Sequence, residues 1–508
     1  MDNEFETPTH VESPFEYFWS VFPNEIVDHI TYQTNLYARQ KNVATTFSTT
    51  NDEIVQFLGI LMFMGIGQYP SLDDYWAKDT RVPQVAGVMS SKRFRLLRRT
   101  IHFNDNMSIT AQADKFFKIR PLFNYITDAF LKMPSTVRQS IDEVMVRYKG
   151  RTAGTLRQYM KDKPDKWGYK LYCRASDDGF IHDIIMYQGK STFESHRIQL
   201  SDDQSSMPVT SKIILTLSKT ISRAGISIIY ADNFFSSLKC VQAFSKYYKC
   251  RYTRTAARDN RVGNPPLMTA KAMKSKKVPR GTYDYRSAGD IIVVRWKDNK
   301  PVTLISNDKG VNPVIKVKRY CKEEKRKVEV NCPLLVTEYN AHMGGIDKSD
   351  MLVHLYKTPM KSKRWYIRLF GYVLDLCIVN AWLLYKRDCK ALKESYMPLK
   401  NFRLQISSFC RACKPTLGRQ LRLRAAARED ATGVRIPSPV KGQRCVIPDE
   451  AVRYDVSLGH YPIVVDRQTC KYCSHKNHVM RSNVACCICK IHLCLKTNSN
   501  CFVLFHTS

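Results

Sequence analysis

The stretch SIDEVMVRYKGR, residues 140–151, decides the fold. Its β-rich pattern predicts a strand that carries Asp142. A continuous apolar run at residues 226–230 is typical of a buried strand, and it ends just before Asp232. A helix with apolar residues on one face follows this second strand, at residues 238–248. Strands followed by a strand-to-helix step predict an α/β layer.

Between these two strands the sequence predicts a β-hairpin. Residues 169–174 and 181–187 are strand-like, and the turn-forming triplet Asp177-Asp178-Gly179 separates them. Residues 290–296 give a further strand-like stretch, within a segment dense in lysine and arginine that we interpret as an insertion between core elements.

Helical periodicity dominates both sides of this region. Asn51 or Asp52 is a plausible N-cap for the apolar helix 54–66, and Ser90 or Ser91 precedes an amphipathic helix with four arginines. That arginine-rich face fits either DNA contact or plain solvation.

The predicted organisation is a helical dimerisation and DNA-binding region at 1–135, a catalytic core at 136–253, an insertion domain at 254–330, the last part of the core at 331–358, a second helical part at 359–410, a basic linker at 411–466 and a cysteine-rich zinc domain at 467–508.

The charge of the chain points to a polyanionic partner. Among 508 residues, 80 are Lys or Arg and 46 are Asp or Glu, so the formal net charge is +34. Each phosphate that such a protein neutralises releases counterions, which favours nucleic acid. A generally basic soluble protein and one that meets anionic membranes are the alternatives. The hydrophobic fraction of 44% predicts a sizeable core.

No membrane segment is predicted. The N-terminus is acidic and polar, unlike a signal peptide. The apolar run 54–66 is too short to span a bilayer and the run 369–385 is interrupted by Asp375, so both predict buried helices. The 17 cysteines, without a secretory signal, predict thiols or metal ligands rather than disulfides.

Four aspartates stand where phosphodiester chemistry would need them. Asp142 lies in the first predicted strand, Asp232 follows the buried strand, and Asp347 and Asp350 lie three apart on one helix face. Hard divalent cations prefer such oxygen ligands, and two ions can stabilise the attacking and leaving oxygens. Asp142 would bridge the two Mg²⁺ ions, while Asp232 and Asp347 would each complete one. Any one of these aspartates, taken alone, fits a structural role at a helix cap or a strand end better than a catalytic one.

Five motifs, together with the cysteine-rich tail, resemble piggyBac-type transposases in the same order. They are SIDEVMVRYKGR (140–151), KPDKWGYKLY (163–172), ADNFFSS (231–237), ARDNRVGNPPL (257–267) and YNAHMGGIDKSDM (339–351). The resemblance covers the chain from about residue 14 to the end.

This resemblance implies an RNase H-like core interrupted by an insertion, with a helical dimerisation and DNA-binding region. It implies that Asp142, Asp232 and Asp347 are a metal-binding catalytic triad and that Asp350 supports activity. It also implies a homodimeric nuclear enzyme that uses Mg²⁺ to cut and paste double-stranded DNA from transposon ends into TTAA targets, through hairpin intermediates.

Two departures from the family pattern bear on activity. Arg254-Thr255-Ala256 stands where family members read Thr-Gly-Thr, and the lost glycine is expected to strain a turn. The long acidic N-terminal extension common in the family is short or absent. Either departure fits a decaying or truncated copy.

The cysteine-rich tail predicts two structural zinc ions. Two C-x₂-C pairs followed by further Cys and His at short spacing are a zinc pattern, and metal would supply much of the folding energy of so short a segment. One arrangement that fits the counts places Cys470, Cys473, His492 and Cys494 in one site and Cys486, Cys489, Cys501 and His506 in the other. Cys487, His475 and His478 remain alternatives.

Basic residues near these motifs are candidates for contact with the DNA backbone. They are Arg258, Arg261, Lys361, Lys363, Arg364, Lys471 and Lys476. Trp296 fits either stacking on a displaced base or a place in the core.

Three functions compete on the sequence. The first is an active transposase, and the second is a DNA- or chromatin-binding protein derived from one, without catalysis. The third treats the tail as a RING-like ubiquitin ligase module, but it leaves the carboxylates unexplained. Retention of all four aspartates favours the enzyme.

Overall fold

A computed structural model describes most of the chain. The residues described are 8–41, 47–110, 114–161, 163–194, 196, 200–235, 238–248, 251–256, 259–322, 324–412, 447–455, 460–475, 478–495 and 500–507. The chain divides into a larger unit, Met1–Gln33 with Glu53–Cys413, and a smaller unit, Thr34–Asp52 with Lys414–Ser508.

Helices occupy the chain before the sheet, as the periodicity predicted. The N-cap Ser13 begins the first helix with a capping box, and the side chain of Ser90 caps the arginine-rich helix. These helices are α1 (Pro14–Val21), α2 (Asn24–Gln40), α3 (Asn51–Ile66), α4 (Pro83–Ala86), α5 (Ser91–Thr100) and α6 (Arg120–Leu131). The predicted helix at 54–66 and the amphipathic helix after Ser90 are therefore confirmed.

The strands of the larger unit's main sheet follow. They are β1 (Arg138–Arg147), β2 (Gln158–Tyr159), β3 (Trp167–Ser176), β4 (Ile181–Met186), β5 (Ile228–Ala231), β6 (Arg251–Ala256), β7 (Tyr283–Ala288), β8 (Ile291–Lys297) and β9 (Pro301–Ser306). Their order is β2-β3-β1-β5-β6-β9-β8-β7, and β4 also pairs with β3. The predicted hairpin is β3–β4, and the predicted buried strand is β5.

The centre of this sheet combines two kinds of pairing. β1 pairs antiparallel with β3, and β3 pairs antiparallel with β4. On its other side β1 pairs parallel with β5, which in turn pairs parallel with β6. Because β1 and β5 run parallel, the carboxyl end of β5 at Ala231 lies beside Ile141 in the middle of β1. The α/β class predicted from the sequence is confirmed.

Helices cover both faces of the sheet. They are α7 (Asp202–Ser205), α8 (Val209–Ser218), α9 (Leu238–Ala243), α10 (Ala270–Lys274), α11 (Leu334–His342) and α12 (Gly345–Leu355). On one face α8 and α9 share a buried apolar cluster with Ile141 and Ile229. On the other face α11 and α12 pack against β1. The main sheet is thus the middle layer of a three-layer arrangement.

Part of the predicted insertion, residues 254–330, continues the main sheet. β9 pairs with β6, and β8 and β7 extend the sheet beyond it. Two further strands, β10 (Val314–Cys321) and β11 (Arg326–Pro333), form a separate antiparallel ribbon. Trp296 is only 2% exposed and donates its indole N–H to the carbonyl oxygen of Asn331 at 2.7 Å. It is a core residue, and the alternative of a base-stacking tryptophan is wrong.

The position of the missing family glycine lies in β6 rather than in a turn. Thr255 pairs with Leu304 of β9 in a regular antiparallel register. Since a strand residue needs no positive φ and threonine is favoured in strands, the expectation of a strained turn is wrong.

Two long helices, α13 (Trp365–Ala391) and α14 (Leu399–Ala412), follow the sheet. α13 is long and apolar enough to cross a membrane by composition, but most of its residues are buried inside the fold. The aspartate that interrupts its apolar run, Asp375, is 2% exposed and forms an ion pair at 2.9 Å with Arg403 of α14, which is 3% exposed. Asp375 also accepts hydrogen bonds from the backbone N–H and the hydroxyl of Thr358.

Arg403→Met is expected to lower the free energy of unfolding of the larger unit by about 3–5 kcal/mol, because it leaves the Asp375 carboxylate buried without its cation. Thermal or urea unfolding followed by circular dichroism measures the change. The double variant Asp375→Asn with Arg403→Met is the matched control. It removes both charges and should recover much of the loss, whereas a single variant as stable as the wild type would contradict the expectation.

The smaller unit contains short elements around cysteine-rich turns. They are α15 (Glu450–Arg453), β12 (Pro462–Thr469), β13 (Arg481–Cys486) and α16 (Cys501–Thr507). β12 and β13 pair antiparallel with an irregularity between Val464 and Gln468. Its buried cluster consists largely of cysteines with Phe502 and Phe505 from α16.

Candidate active site and metal clusters

The parallel pairing of β1 with β5 brings Asp142 and Asp232 together. Ile141 of β1 and Ala231 of β5 are direct partners, so Asp142, within β1, and Asp232, just after β5, are the next residues along two adjacent segments. The Asp142 carboxylate accepts a hydrogen bond from the N–H of Glu143 at 2.8 Å. The Asp232 carboxylate accepts one from the N–H of Phe234 at 2.9 Å, which fixes it at the start of the turn.

Helix α12 places the other two predicted aspartates on the face of the sheet that Asp142 occupies. Gly345, at its first residue, approaches β1 so closely that a Cβ there would lie 2.7 Å from Ser140 Oγ and would overlap the carbonyl oxygen of Ser176. Only glycine allows this approach. Asp347 lies in the first turn of α12, and Asp350 follows one turn later.

Lys163 is a member of this site that the sequence reasoning did not single out. Its Nζ lies 3.6 Å from Glu143 Oε1, and it donates a hydrogen bond to the Glu143 carbonyl oxygen at 3.2 Å. Burial alone would lower the pKa of Lys163. The carboxylates of Asp142, Glu143, Asp347 and Asp350 outweigh burial and raise it. Carboxylates from β1 and α12 therefore act on one ammonium group, and the KPDKWGYKLY motif that contains it was the available signal.

The pKa values at the strand ends report crowded negative charge. Burial, followed by the charge of Glu143, raises the pKa of Asp142 to about 7, even though Lys163 opposes the shift. Burial also raises the pKa of Asp232, with Glu143 adding to it. Burial and neighbouring negative charge favour the protonated carboxyls, and a bound cation would favour their ionised form. Carboxylate oxygens are the donors that Mg²⁺ prefers. The residues present fit a hard divalent metal ion.

Asp350 has a cationic partner on its own helix. Its Oδ1 lies 3.3 Å from Nδ1 of His354, one turn further along α12. Hydrogen bonding of the imidazole to the Asp350 carboxylate raises the pKa of His354 to about 9, so the imidazole is protonated at neutral pH. Nε2 of the same ring lies 3.5 Å from Asp165, the aspartate of the KPDKWGYKLY motif. Asp350 and His354 therefore link α12 to that motif. Such a link is consistent with a residue that supports activity rather than one that carries it out.

An exposed aromatic ring lies beside Asp232. Phe234 is 38% exposed and is nearly parallel to Tyr172, with 6.3 Å between the ring centroids. The Lys170 ammonium lies 4.6 Å from the Phe234 centroid and 3.9 Å from Glu143 Oε2. The site therefore offers a ring and a cation next to its carboxylates.

The predicted DNA-contact residues have different surroundings. Lys361, Lys363 and Lys471 are exposed, and exposed Arg261 donates to the Asn233 carbonyl oxygen at 3.4 Å. Arg258 and Lys476 lie outside the described residues.

Arg364 is engaged within the fold. Its guanidinium donates to the carbonyl oxygens of Ile101, at 2.9 Å, and Arg98. Three arginines of α5 also have internal partners, since Arg93 pairs with Glu53 at 2.5 Å, Arg95 pairs with Asp73, and Arg98 donates to the Lys361 carbonyl oxygen. These contacts favour a structural role over DNA contact for these side chains.

The smaller unit contains two groups that could each hold a metal ion. One consists of Cys470, Cys473, Cys494 and Cys501, and the other consists of His460, Cys486, Cys489 and His506. Within each group the ligand atoms all lie within 4.8 Å of one another. Four sulfur or nitrogen donors at this spacing are the set that tetrahedral zinc takes.

Hydrogen bonds orient both histidines of the second group. His460 Nε2 donates to the Val452 carbonyl oxygen at 2.7 Å, and His506 Nδ1 donates to the Phe502 carbonyl oxygen at 2.7 Å. The remaining nitrogens, Nδ1 of His460 and Nε2 of His506, lie 3.5 and 3.4 Å from the Cys489 sulfur. A carbonyl that fixes the tautomer in this way is the usual outer partner of a metal-ligating histidine.

This arrangement corrects the predicted grouping of ligands. Cys501 joins Cys470, Cys473 and Cys494, whereas the spacing argument had placed His492 there. His492 instead bridges to Ala485 of β13, and its carbonyl oxygen accepts from the Lys471 N–H, which holds its backbone in the sheet. His460 takes the vacant fourth place in the other group. The sequence analysis did not include His460 among the zinc ligands because His460 precedes the predicted domain boundary at 467.

A family profile described as Transposase IS4 matches residues 13–382. Human PiggyBac transposable element-derived protein 3 is 32% identical over 384 residues, which are 74% of this chain and 62% of that protein. The chain belongs to the piggyBac family of transposases. Human PiggyBac transposable element-derived protein 2 is 29% identical to this piggyBac-family chain over 443 residues, 86% of this chain and 72% of the relative.

A solved structure has the same fold as this piggyBac-family chain. It is the cryo-EM structure of a piggyBac transposase synaptic complex with hairpin DNA, and it aligns with a TM-score of 0.66 over 97% of each chain at 22% identity. The family resemblance stated from the five motifs is confirmed. The chain spans about three fifths of the length of the human protein 3 relative.

Proposed function

We propose that this chain is a metal-dependent DNA transposase that cuts and joins phosphodiester bonds at transposon ends and TTAA targets. The observation that carries the proposal is the adjacency of Asp142 and Asp232 on neighbouring parallel strands, each with a raised carboxyl pKa, while the charge of Asp347 on α12 acts on the same Lys163 as Asp142. Perturbed carboxylates gathered from distant positions are typical of catalytic sites. The solved synaptic complex of a piggyBac transposase with hairpin DNA supports DNA as the substrate.

The core of the proposed enzyme is RNase H-like. The order β4-β3-β1-β5-β6, with the first three strands antiparallel and the last two parallel to β1, supports this assignment. In such an open sheet the crevice beyond the carboxyl ends of parallel strands is where ligands bind. Asp232 follows the carboxyl end of β5, and Asp142 lies beside it within β1.

In this proposal Asp142, Asp232 and Asp347 hold two Mg²⁺ ions. Bound there, the ions would supply charge for the attacking and leaving oxygens of an in-line displacement. The protein's own side chains have two further roles. Asp350, through His354, helps to orient α12. The Lys163 and Lys170 ammonium groups lie where they can offset phosphate charge. Water acts first as nucleophile, and a 3′ hydroxyl then serves for hairpin formation and target joining.

The partners follow from charge and metal chemistry. A net charge of +34 suits double-stranded DNA and a nuclear location. Two structural zinc ions in the smaller unit would order the cysteine-rich module, which we propose recognises transposon ends with Lys471 near the phosphates. The family resemblance supports a homodimer.

An excision assay in cells tests the proposal. A donor plasmid carries a reporter interrupted by a cassette with candidate terminal repeats flanked by TTAA, and Asp232→Asn serves as the inactive control. Seamless repair of the reporter by the wild type, lost in the variant, is the expected result. DNA binding in a gel shift without any excision would instead favour a DNA-binding protein without catalysis.

A further inference from the structure

The β10–β11 ribbon has one face that is exposed along its length. In its register Lys318 lies opposite Glu329, and Tyr320 lies opposite Lys327, so these side chains share a face. They are exposed, and Tyr320 is 55% exposed although it is aromatic.

The other face anchors the ribbon to the body of the larger unit. Val317 and Val328 pack against the buried cluster that contains Trp296. Arg319 forms an ion pair with Asp298 at 3.4 Å, and Arg280 donates to the Tyr320 carbonyl oxygen at 2.9 Å. The ribbon is therefore held by one face and presents the other to solvent.

The exposed face is basic, and it belongs to the most basic part of the fold. Residues 254–330 contain 20 Lys or Arg and 8 Asp or Glu. On the face itself Glu329 pairs with Lys316 at 3.4 Å. Among the residues that the structure describes, Lys318 and Lys327 form no ion pair, so their charges remain available for an anion.

We propose that this face of the ribbon binds duplex DNA, with Lys318 and Lys327 on backbone phosphates and Tyr320 between them against the groove. Two strands about 4.8 Å apart, with their side chains, fit a major groove about 12 Å wide. Phosphate contacts of this kind position the duplex without reading its sequence. The inference rests on the proposed function for the identity of the substrate and adds a binding surface apart from the carboxylate site.

The salt dependence of binding tests the ribbon directly. Fluorescence anisotropy measures the affinity of the full-length protein for a random-sequence duplex from 50 to 300 mM salt, without added divalent cation so that no cleavage occurs. For Lys318→Ala with Lys327→Ala, the slope of log K against log[salt] should become shallower by about 1.8, because each lost phosphate contact removes about 0.9. The matched control is Lys190→Ala with Lys219→Ala, two exposed lysines of the core, which should leave the slope unchanged.

The outcomes separate this inference from the proposed function. If the wild type binds DNA and the ribbon variant keeps its slope, the ribbon is not a DNA surface, while the transposase proposal stands. If the wild type binds no duplex at all, both are overturned. All four lysines are exposed, so each variant should retain the thermal midpoint of the wild type, and circular dichroism checks this.

Discussion

Asp142→Asn is expected to abolish DNA cleavage by the purified protein, with a rate at least about a thousandfold below the wild type. Under the proposed function an amide would hold divalent metal ions far less well than a carboxylate, and such ions would supply several kcal/mol of transition-state stabilisation at about 1.4 kcal/mol per factor of ten. The substrate is a duplex with a candidate transposon end, and single-turnover cleavage with Mg²⁺ measures the rate. Asp203→Asn, an exposed aspartate of α7, is the matched control and should cleave normally.

The same substitution should leave the metal-free protein as stable as the wild type, or more stable, at pH 7.5. The folded pKa of Asp142 is about 7, above its ordinary value near 3.8, so folding favours the protonated form. Stability linked to this group is present at low pH and is lost as the pH rises from about 4 through about 7. Asparagine carries no charge to be penalised above that range.

The activity of the wild type should change in the opposite direction with pH. Metal binding needs the ionised carboxylate, so cleavage should rise as the pH increases through about 7, unless Mg²⁺ is concentrated enough to displace the proton. A pH profile at limiting and saturating Mg²⁺ tests this, since saturation should move the rise to lower pH. Cleavage retained by Asp142→Asn, or lost together with the folded structure, would contradict the assignment.

The sequence predicted the parts of this site that depend on local pattern. Asp142 and Asp232 were recognisable because each accompanies a strand whose residue types are unmistakable. Their adjacency depends on the parallel pairing of Ile141 with Ala231, which joins residues 90 positions apart and leaves no local trace. The motif resemblance, rather than spacing, supplied that connection.

Other parts could not be read from the chain. Lys163 belongs to the site only because the turn before β3 returns it to Glu143, a non-local contact between residues of opposite charge. The insertion was read as separate because its composition changes, yet β9 pairs with β6 through backbone hydrogen bonds that composition does not report. The core position of Trp296 could not be predicted from the sequence either, because its hydrogen-bond partner Asn331 lies on β11, distant along the chain.

Zinc content should distinguish the structural ligand set from the one suggested by spacing. We expect the wild type to retain two zinc ions per chain, His460→Ala about one, and His492→Ala two. His460 faces Cys486, Cys489 and His506, so alanine leaves that group with three ligands, whereas His492 belongs to neither group. Metal analysis after dialysis against a weak chelator measures the content of each protein.

Loss of the zinc ion that His460 helps to hold should have a large effect on folding, confined to one half of the cysteine-rich module. Structural zinc contributes on the order of 10 kcal/mol to such small domains, far more than their apolar cores. Loss of one ion in His460→Ala should therefore expose α16 to proteolysis, because His506 and Phe502 lie on that helix, while the larger unit keeps its thermal transition. If His492→Ala loses an ion and His460→Ala keeps both, the ligand grouping inferred from spacing is right and the one in the structure is wrong.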